Sequence, residues 1–452
     1  MKNLAEGSIL KNLFIFSLPM IISDFIQGSV SLIDLFYIGN IIGYQGISSI
    51  SIVIPIVFLL FSILIGIGVS TNVLVAQAFG AGNEKTLTSV ISNSLTMTVI
   101  TSIILSLIGF ITSTPVLILL NVPKTIFKDA LTYLQIYTLS IPITALLNYF
   151  MALTRAVGNS KLSLYSSLVL LVSKIVLTPL FIGGFYIIPP LGIPGSIIST
   201  VAIELLITLG IVLYITRKYA TIKKGLRFSI DRNMIPKFIG IGFPASLQMI
   251  IISTSATILM RFISEFGEKA IAVFGIGNRI DQFAFLPALS LGMALTTISS
   301  QNLSANRQDR LEEFLKWSVI LSTTISITIV IIANTFSKDI FFFFSKNEEI
   351  TTMGVDYIKI MSLSYLIMGL VFSMQGIIRG AGDTFAILGI KIFSMVILRI
   401  PISYILAFSI LKSPNGIWLS FPIMMVFETI VSWLYLKSEN WKKKLVFRKP
   451  TQ

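Results

Sequence analysis

Twelve long apolar segments run through this sequence, from near its beginning to near its end. A helix that crosses a bilayer needs about 20 mostly apolar residues, and each segment is long enough. Strands of an outer-membrane barrel would be short and would alternate in polarity, whereas these segments are continuous. The sequence therefore predicts an all-α polytopic membrane protein. Its twelve transmembrane helices are expected near residues 12–39, 47–75, 87–111, 130–153, 162–185, 192–216, 236–260, 270–298, 315–336, 355–378, 385–411 and 415–436.

The composition excludes a water-soluble globule. Only 12% of the 452 residues are charged and 54% are hydrophobic, whereas soluble domains carry about 25% charged residues. Low charge combined with abundant Ile, Leu and Phe also excludes intrinsic disorder.

The chain contains no cysteine and no histidine. Disulfides and thiolate chemistry are thereby excluded, and the commonest metal ligand and pH switch is missing. A membrane-embedded enzyme needs metal ligands or a nucleophile–base pair, and the usual residues for either are lacking. We therefore expect a protein that is not an enzyme and has no cofactor or metal site, in which any proton chemistry uses carboxylates, Lys or Tyr.

The Lys and Arg residues are distributed unequally between the two sides of the predicted membrane. The N-terminus, the even-numbered connections and the C-terminus hold 22 of the 34, the odd-numbered connections hold 7, and five lie within spans. Because basic loops stay in the cytoplasm, we predict a plasma (inner) membrane protein with both termini cytoplasmic. The first segment is too long for a cleavable signal peptide and is read as a span. The net charge of +14 then faces anionic lipid and requires no nucleic-acid partner.

The two halves of the sequence resemble each other at one interval. Three pairs of identical residues are 224 positions apart and a fourth is 225 apart, namely Gln77 and Gln301, Arg155 and Arg379, Glu204 and Glu428, and Pro19 and Pro244. Since each half has an even number of spans, the repeat is parallel, as in many secondary transporters. The prediction is two six-helix lobes related by a pseudo-two-fold axis, at 1–216 and 236–436, with a basic linker at 217–235 and a basic tail at 437–452.

Several short motifs, in their order and spacing across the twelve spans, carry a family likeness. They are LPMIISDFIQGSVSLIDLFYIG in the first span, QAFGAGN after the second, TRAVGNSK after the fourth, GIIRGAGDT after the tenth and LRIPISYIL in the eleventh. Over nearly its whole length the chain resembles the MATE (multidrug and toxic compound extrusion) transporters, closest to their archaeal and DinF-like branch. The resemblance implies two lobes that form a V, and cation-coupled export of amphiphilic, often cationic, compounds by alternating access.

Two other functions fit the sequence less well than export does. A lipid-linked oligosaccharide flippase of the wider superfamily typically has more spans and a strongly cationic cavity, whereas here acids offset the bases. A passive channel fits less well with two lobes that carry buried charges. For an exporter, the expected partners are a small amphiphilic substrate, protons rather than sodium, and the lipid bilayer, and the protein is expected to be a monomer.

Charged residues within the spans are candidates for function, since each costs roughly 2.5–3.5 kcal/mol at the centre of a span on insertion scales. In the first span Asp34 shares a helix face with Gln27 and Ser23, whereas Asp24 lies about 80° away from Asp34. Asp34 also matches the position of the family's essential first-helix acid. We predict that Asp34 binds the coupling proton and that Asp24 is a structural partner for a backbone group or an arginine.

The fifth span departs from the family pattern. Alignment on its PLF triplet places Lys174 at a family asparagine and Thr178 at a family aspartate, and the sixth span supplies Thr200 and Glu204. The resemblance thus implies a coupling cluster formed by these four residues and Asp34. A protonated lysine has no lone pair to offer a metal ion, so no sodium ion is expected there. Lys174 is either a counter-ion that pairs with Asp34 or Glu204 and is released on protonation, or a fixed strut.

The second half of the chain offers fewer candidates. Where NorM-type relatives carry acids in spans seven and ten, this chain has Ser253 and Phe372, so that cation site is expected to be missing. Glu428 repeats Glu204 without an evident role. The candidate substrate-binding residues are Gln27, Asn148 and Gln375.

Overall fold

The structure, a computed structural model, describes residues 2–120, 122–186 and 189–449, which are almost entirely helical. The first half contains α1 (Ile9–Ile41), α2 (Tyr44–Gly80), α3 (Glu84–Leu119), α4 (Lys124–Ala156), α5 (Lys161–Gly183), α6 (Ile193–Lys218) and the short α7 (Ala220–Gly225). The second half contains α8 (Ile235–Ser264), α9 (Glu268–Ser304), α10 (Leu311–Thr335), α11 (Ser337–Ser345), α12 (Glu348–Gly380), α13 (Thr384–Lys391), α14 (Ile400–Tyr404) and α15 (Asn415–Lys437).

Twelve helical stretches within the described residues are long and apolar enough to cross a membrane. Each coincides with one predicted segment, which confirms the all-α polytopic fold. The helices extend beyond the apolar segments because polar residues continue and cap them. Asn83 caps α3 by accepting a hydrogen bond from the Thr86 amide at 3.1 Å, and Asn347 caps α12 by accepting from the Glu349 amide at 3.0 Å. Such side chains satisfy N–H groups that lack a partner within the helix.

The eleventh span is irregular. Helix α13 continues into π-helical turns at Ile392–Arg399, and α14 continues into a second π-helical stretch at Ile405–Ile410. The sequence predicts one continuous helix at 385–411, because a wider turn leaves the length of an apolar segment almost unchanged. Since π-helical turns are rare and frequently lie at functional sites, this span is a candidate for function.

The basic stretch 217–235 is packed against α3. Ser92 Oγ donates a hydrogen bond to the Gly225 carbonyl oxygen at 2.7 Å, and the Asp231 amide donates to Asn93 Oδ1 at 2.6 Å. Polar side chains of α3 thus supply partners for backbone groups outside the spanning helices. The stretch that joins the sixth and seventh spans is therefore fixed to its own half of the chain.

The chain divides into two compact units. One comprises the residues up to Asn3 together with Ile22–Ser246, and the other comprises Leu4–Ile21 and the residues from Leu247 onward. These limits differ from the lobes predicted from sequence, because the start of α1 groups with the second unit and the start of α8 groups with the first. Hydrophobic periodicity defines the length of a span but not which neighbours it contacts.

In the second unit, α9 and α12 approach each other closely along glycine residues. A Cβ atom on Gly376 would lie 2.3 Å from the Gly292 carbonyl oxygen, and one on Gly380 would lie 2.6 Å from the Thr296 carbonyl oxygen. Ser300 Oγ donates a hydrogen bond to the Gly380 carbonyl at 2.8 Å. Small residues four positions apart allow this approach in membranes, where helix association depends on van der Waals packing.

Gly376→Val is expected to push α9 and α12 apart and to lower the free energy of unfolding by about 1–3 kcal/mol, the usual cost of overpacking. Gly389→Val is the matched control, because a Cβ atom there meets no atom of the described residues within 4 Å. Thermal unfolding of the two variants in detergent measures the difference. Equal unfolding temperatures would show that the close approach is not required.

Candidate functional site

Lys174 on α5 and Asp34 on α1 form an ion pair in the first unit. Lys174 Nζ lies 2.5 Å from Asp34 Oδ1 and 2.6 Å from Oδ2, and it donates to Thr200 Oγ1 on α6 at 2.5 Å. The lysine side chain is completely buried, whereas the Asp34 side chain is 28% exposed. Solvent can therefore reach the carboxylate of this ion pair but not its ammonium group.

A turn of α6 orients the hydroxyl that contacts Lys174. Thr200 donates its own proton to the Ser196 carbonyl oxygen at 2.7 Å, so the lone pairs of Oγ1 are free to face the ammonium. The Ser196 carbonyl oxygen also lies 3.5 Å from Lys174 Nζ. Four oxygen atoms thus surround one ammonium group, which has three protons to donate. The positive charge of Lys174 is balanced by Asp34 in a place where either charge alone would be costly.

Glu204 lies one turn beyond Thr200 on α6 and is buried. Its Oε2 atom accepts a hydrogen bond from Thr144 Oγ1 of α4 at 2.6 Å. Lys174 is within electrostatic reach of this carboxylate but makes its hydrogen bonds to Asp34. Of the two acids that the sequence allowed as partners of Lys174, the structure selects Asp34. Thr144 carries no sequence signal that would single it out among the polar residues of α4.

Thr178 lies one turn from Lys174 on α5, but its hydroxyl contacts Ser199 Oγ at 3.4 Å and not the ion pair. The coupling cluster implied by the family resemblance therefore divides into two parts. In one part, Lys174 is hydrogen-bonded to Asp34 and to Thr200. The other consists of Thr178 and Glu204, which make their hydrogen bonds to other residues.

The polar stripe of α1 faces α5. Ser23 Oγ lies 2.7 Å from Ser167 Oγ, and Gln27 Nε2 donates to Ser167 Oγ at 3.2 Å. Gln27 thus uses its amide N–H in a helix contact, and its role toward substrate stays a prediction. Asp24, which lies off the stripe, is within electrostatic reach of the half-buried Arg155 on α4.

The other two candidate substrate-binding residues have different surroundings. Asn148 lines an internal cavity of about 10 Å³ together with Gly68, Thr98 and Tyr149, which is room for about one water molecule. Gln375 on α12 is completely buried in the second unit. The substrate contacts of both residues stay predictions.

A second buried ion pair joins Lys391, at the end of α13, to Glu428 on α15, and Gln375 is hydrogen-bonded to this glutamate. Lys391 Nζ lies 2.6 Å from Glu428 Oε2, Ser394 Oγ donates to Oε1 at 2.7 Å, and Gln375 Nε2 donates to Oε2 at 3.2 Å. From the sequence, Gln375 is a candidate substrate contact and Glu428 a repeat of Glu204, and neither is expected to meet Lys391. The available signal was the presence of opposite charges in two consecutive spans.

A further acid of the second unit is Asp281 on α9. It accepts hydrogen bonds from the hydroxyl groups of Tyr357, at 2.6 Å, and Tyr365. Arg399 is within electrostatic reach of Asp281 and lies over the Phe421 ring, 4.6 Å from its centroid. Within the described ranges, no group of three or more acidic side chains is placed to hold a metal ion.

Comparison with known families gives a match in each half of the chain. The MatE family profile matches residues 19–180 and 244–405. The two matches start 225 residues apart, which agrees with the internal repeat of the sequence.

Two relatives from Bacillus subtilis (strain 168) cover nearly the whole chain. The probable multidrug resistance protein YpnP is 28% identical over 448 residues, with 98% of each chain covered. The probable multidrug resistance protein YoeA is 27% identical over 450 residues, which cover 98% of this chain and 96% of the relative.

A solved structure has a similar fold. It is the outward-facing conformation of a multidrug resistance MATE family transporter of the MOP superfamily, and it matches with a TM-score of 0.89. The sequence identity is 19%, and the match covers 98% of this chain and 99% of that chain. At this identity the similarity concerns the fold alone.

Proposed function

The chain belongs to the MatE family of multi-pass membrane transporters, and from that premise we propose that it is a proton-driven antiporter that exports amphiphilic or cationic organic compounds by alternating access. The observation that carries the proposal is the ion pair between Asp34 and Lys174. Its ammonium fills a cluster of oxygen atoms in the first unit, while its carboxylate is 28% exposed. A proton can therefore reach the acid without first displacing a metal ion.

The proposed coupling step is the protonation of Asp34. Neutralising this carboxylate removes the only charged hydrogen-bond partner that Lys174, whose side chain is completely buried, has among the described residues. A buried charge without a partner is strongly destabilising, so the lysine turns toward Glu204, the other acid within its electrostatic reach. The positive charge then moves away from α1, and the contact between α1 and α5 opens. Release of the proton restores the pair.

Protons are favoured over sodium as the coupling ion. Sodium would need oxygen ligands at the centre of the site, and the ammonium of Lys174 already occupies that position, 2.5 to 2.6 Å from three oxygen atoms. A protonated lysine cannot itself be a ligand. The site in this chain therefore suits a mobile proton and a tethered cation.

The finer assignments follow from the same premise. We place the chain in the archaeal and DinF-like branch, because its candidate site lies on α1, α5 and α6. The charge distribution of the loops supports a plasma-membrane protein with both termini cytoplasmic and with anionic lipid at that face. Gln27 and Asn148 are the proposed substrate contacts of the first unit, and the protein is proposed to act as a monomer. The two relatives named as probable multidrug resistance proteins support a small organic substrate.

Uptake of ethidium, a permanently charged organic cation, into vesicles containing the purified protein tests the proposal. With the lumen acidic and the membrane potential clamped, outward flow of protons is expected to drive ethidium accumulation. Nigericin, which collapses the pH gradient, should abolish it, and vesicles without protein give the background.

The same vesicles with a sodium gradient and equal pH provide the opposing arm. Accumulation driven equally by sodium would contradict proton coupling. Translocation of a labelled lipid-linked sugar, without any transport across a panel of cationic dyes, would replace export with the flippase function.

A further inference from the structure

A second ion pair in the membrane-spanning region is not used by the coupling step described above. Glu428 on α15 is completely buried and Lys391 is 6% exposed. Both carboxylate oxygens are hydrogen-bonded, Oε2 to Lys391 and Gln375, and Oε1 to Ser394. The acid is therefore held by groups from three consecutive elements.

Packing alone does not account for these charges. Replacing a buried ion pair with apolar residues of similar volume is often neutral or stabilising, so a purely structural contact could be built without them. Ionisable residues within spans are rare and usually mark ion or substrate pathways. The presence of a lysine and a glutamate at this contact favours a role for the charge itself.

Gln375 is suited to both protonation states of Glu428. Its Nε2 atom donates to the carboxylate at 3.2 Å, while its Oε1 atom, buried, has no hydrogen-bond partner among the described residues. A rotation of the amide would place this oxygen beside the glutamate, where it can accept the proton of a carboxylic acid. An amide at this position can therefore serve the charged and the neutral acid in turn.

The backbone next to the lysine is irregular. Lys391 is the last residue of α13, and Ser394 lies in the π-helical turns that follow it. Both side chains hold Glu428, so they connect the irregular span to α15. Loss of the negative charge would remove the ionic part of that connection at a place where the helix is already irregular.

Lys391 is the cation that loses its acidic partner when Glu428 is neutralised. Arg399 is within electrostatic reach of both Glu428 and Asp281, so it keeps an acidic partner when Glu428 is neutral. Within the part of the chain that the structure describes, the one further favourable contact for the charge of Lys391 is the Phe372 ring, 5.7 Å from Nζ to the centroid. Neutralising Glu428 therefore frees one cation and leaves the other paired.

We propose that Glu428 is a second proton-binding site, whose ion pair with Lys391 opens on protonation, so that each half of the chain takes up one proton in a transport cycle. The inference rests on the proposed proton-driven export. Two protons would then enter for each monovalent cation that leaves, and one net positive charge would cross the membrane per cycle. Transport of ethidium should accordingly respond to the membrane potential as well as to the pH gradient.

Glu428→Gln tests the inference, because glutamine keeps the size of the side chain but cannot take up a proton. When a potassium diffusion potential is imposed, ethidium uptake by the wild type should become faster or slower according to the sign of the potential. E428Q should take up one proton per ethidium instead of two and lose this response. Glu349→Gln is the control, since Glu349 pairs with Lys269 at the exposed surface of the same unit and should behave as the wild type does. The inference is overturned if ethidium uptake by E428Q responds to the membrane potential as strongly as uptake by the wild type does.

An infrared difference spectrum between pH 8 and pH 5 gives a readout that needs no substrate. The wild type and E349Q should show the C=O stretching band of a protonated buried carboxyl group, and E428Q should lack part of it. If E428Q alone is too unstable, E428Q/K391M removes the unpaired lysine charge and is compared in its place. An unchanged band contradicts the site at Glu428. Absence of pH-driven ethidium uptake by the wild type would instead defeat the proposed export function, while the spectrum still reports on Glu428.

Discussion

Asp34→Asn is expected to reduce pH-driven ethidium uptake to the level of vesicles without protein. Asparagine keeps the size of the side chain, and its carbonyl oxygen can still accept a hydrogen bond from Lys174. It can neither bind a proton nor carry a charge, so the ion pair seen at 2.5 Å cannot form and break. Vesicle uptake under a clamped membrane potential, with wild-type and variant protein at equal density, measures the effect.

This variant is expected to be less stable than the wild type. Removing one partner of a buried ion pair costs about 3–5 kcal/mol, and the charge that remains, on Lys174, is completely buried. The double variant D34N/K174M removes the unpaired lysine charge as well. It should recover the thermal stability of the wild type in detergent without recovering transport, which separates loss of coupling from loss of folding.

Asp129→Asn is the matched control for Asp34. Asp129 lies on an exposed face of α4, and the same chemical change there should leave uptake unchanged. Full pH-driven uptake by D34N would remove Asp34 from the mechanism and, with it, the proposed role of the ion pair.

Lys174→Asn is expected to change which cation drives transport. The ammonium is surrounded by two carboxylate oxygens of Asp34, the Thr200 hydroxyl and the Ser196 carbonyl. Asparagine withdraws the tethered cation from this oxygen cluster and adds one more oxygen ligand. We expect pH-driven uptake to fall about tenfold, equivalent to about 1.4 kcal/mol, and a sodium gradient to begin to drive uptake.

Lys174→Met serves as the comparison for this effect. Methionine also removes the charge, but its thioether is a poor ligand for a hard cation and its side chain fills the space. It should therefore lose pH-driven uptake without gaining a response to sodium. If both variants keep the cation preference of the wild type, Lys174 is a fixed strut and the coupling step lies elsewhere.

Part of the candidate site was accessible from the sequence. The family resemblance brought Asp34, Lys174 and Thr200 into one cluster, and the structure places them in hydrogen-bonding contact. The resemblance could not show that Thr178 contacts Ser199 or that Glu204 contacts Thr144. Those contacts depend on the rotation of α5 and α6 about their axes, which shifts a side chain from one neighbour to another within a single turn.

The internal repeat does not predict the second ion pair. At the interval of 224 residues, Glu428 matches Glu204, but Lys174 matches Leu398, and Lys391 lies two helical turns earlier. A comparison of the halves therefore does not align the two lysines. The structure brings Lys391 to Glu428 because α13 and α15 are neighbours in the second unit.

The sequence by itself determined that this chain is a twelve-span helical membrane protein of the MATE type. It also supplied the expected orientation of its termini and the acid that leads its proposed chemistry. These conclusions depend on properties that the bilayer imposes on each segment separately, namely apolar length and the side on which basic residues lie. Only the tertiary structure decided which charges are paired, since Asp34 and Lys174 are 140 residues apart. Their meeting depends on how three helices are placed and rotated, which no local pattern in the sequence records.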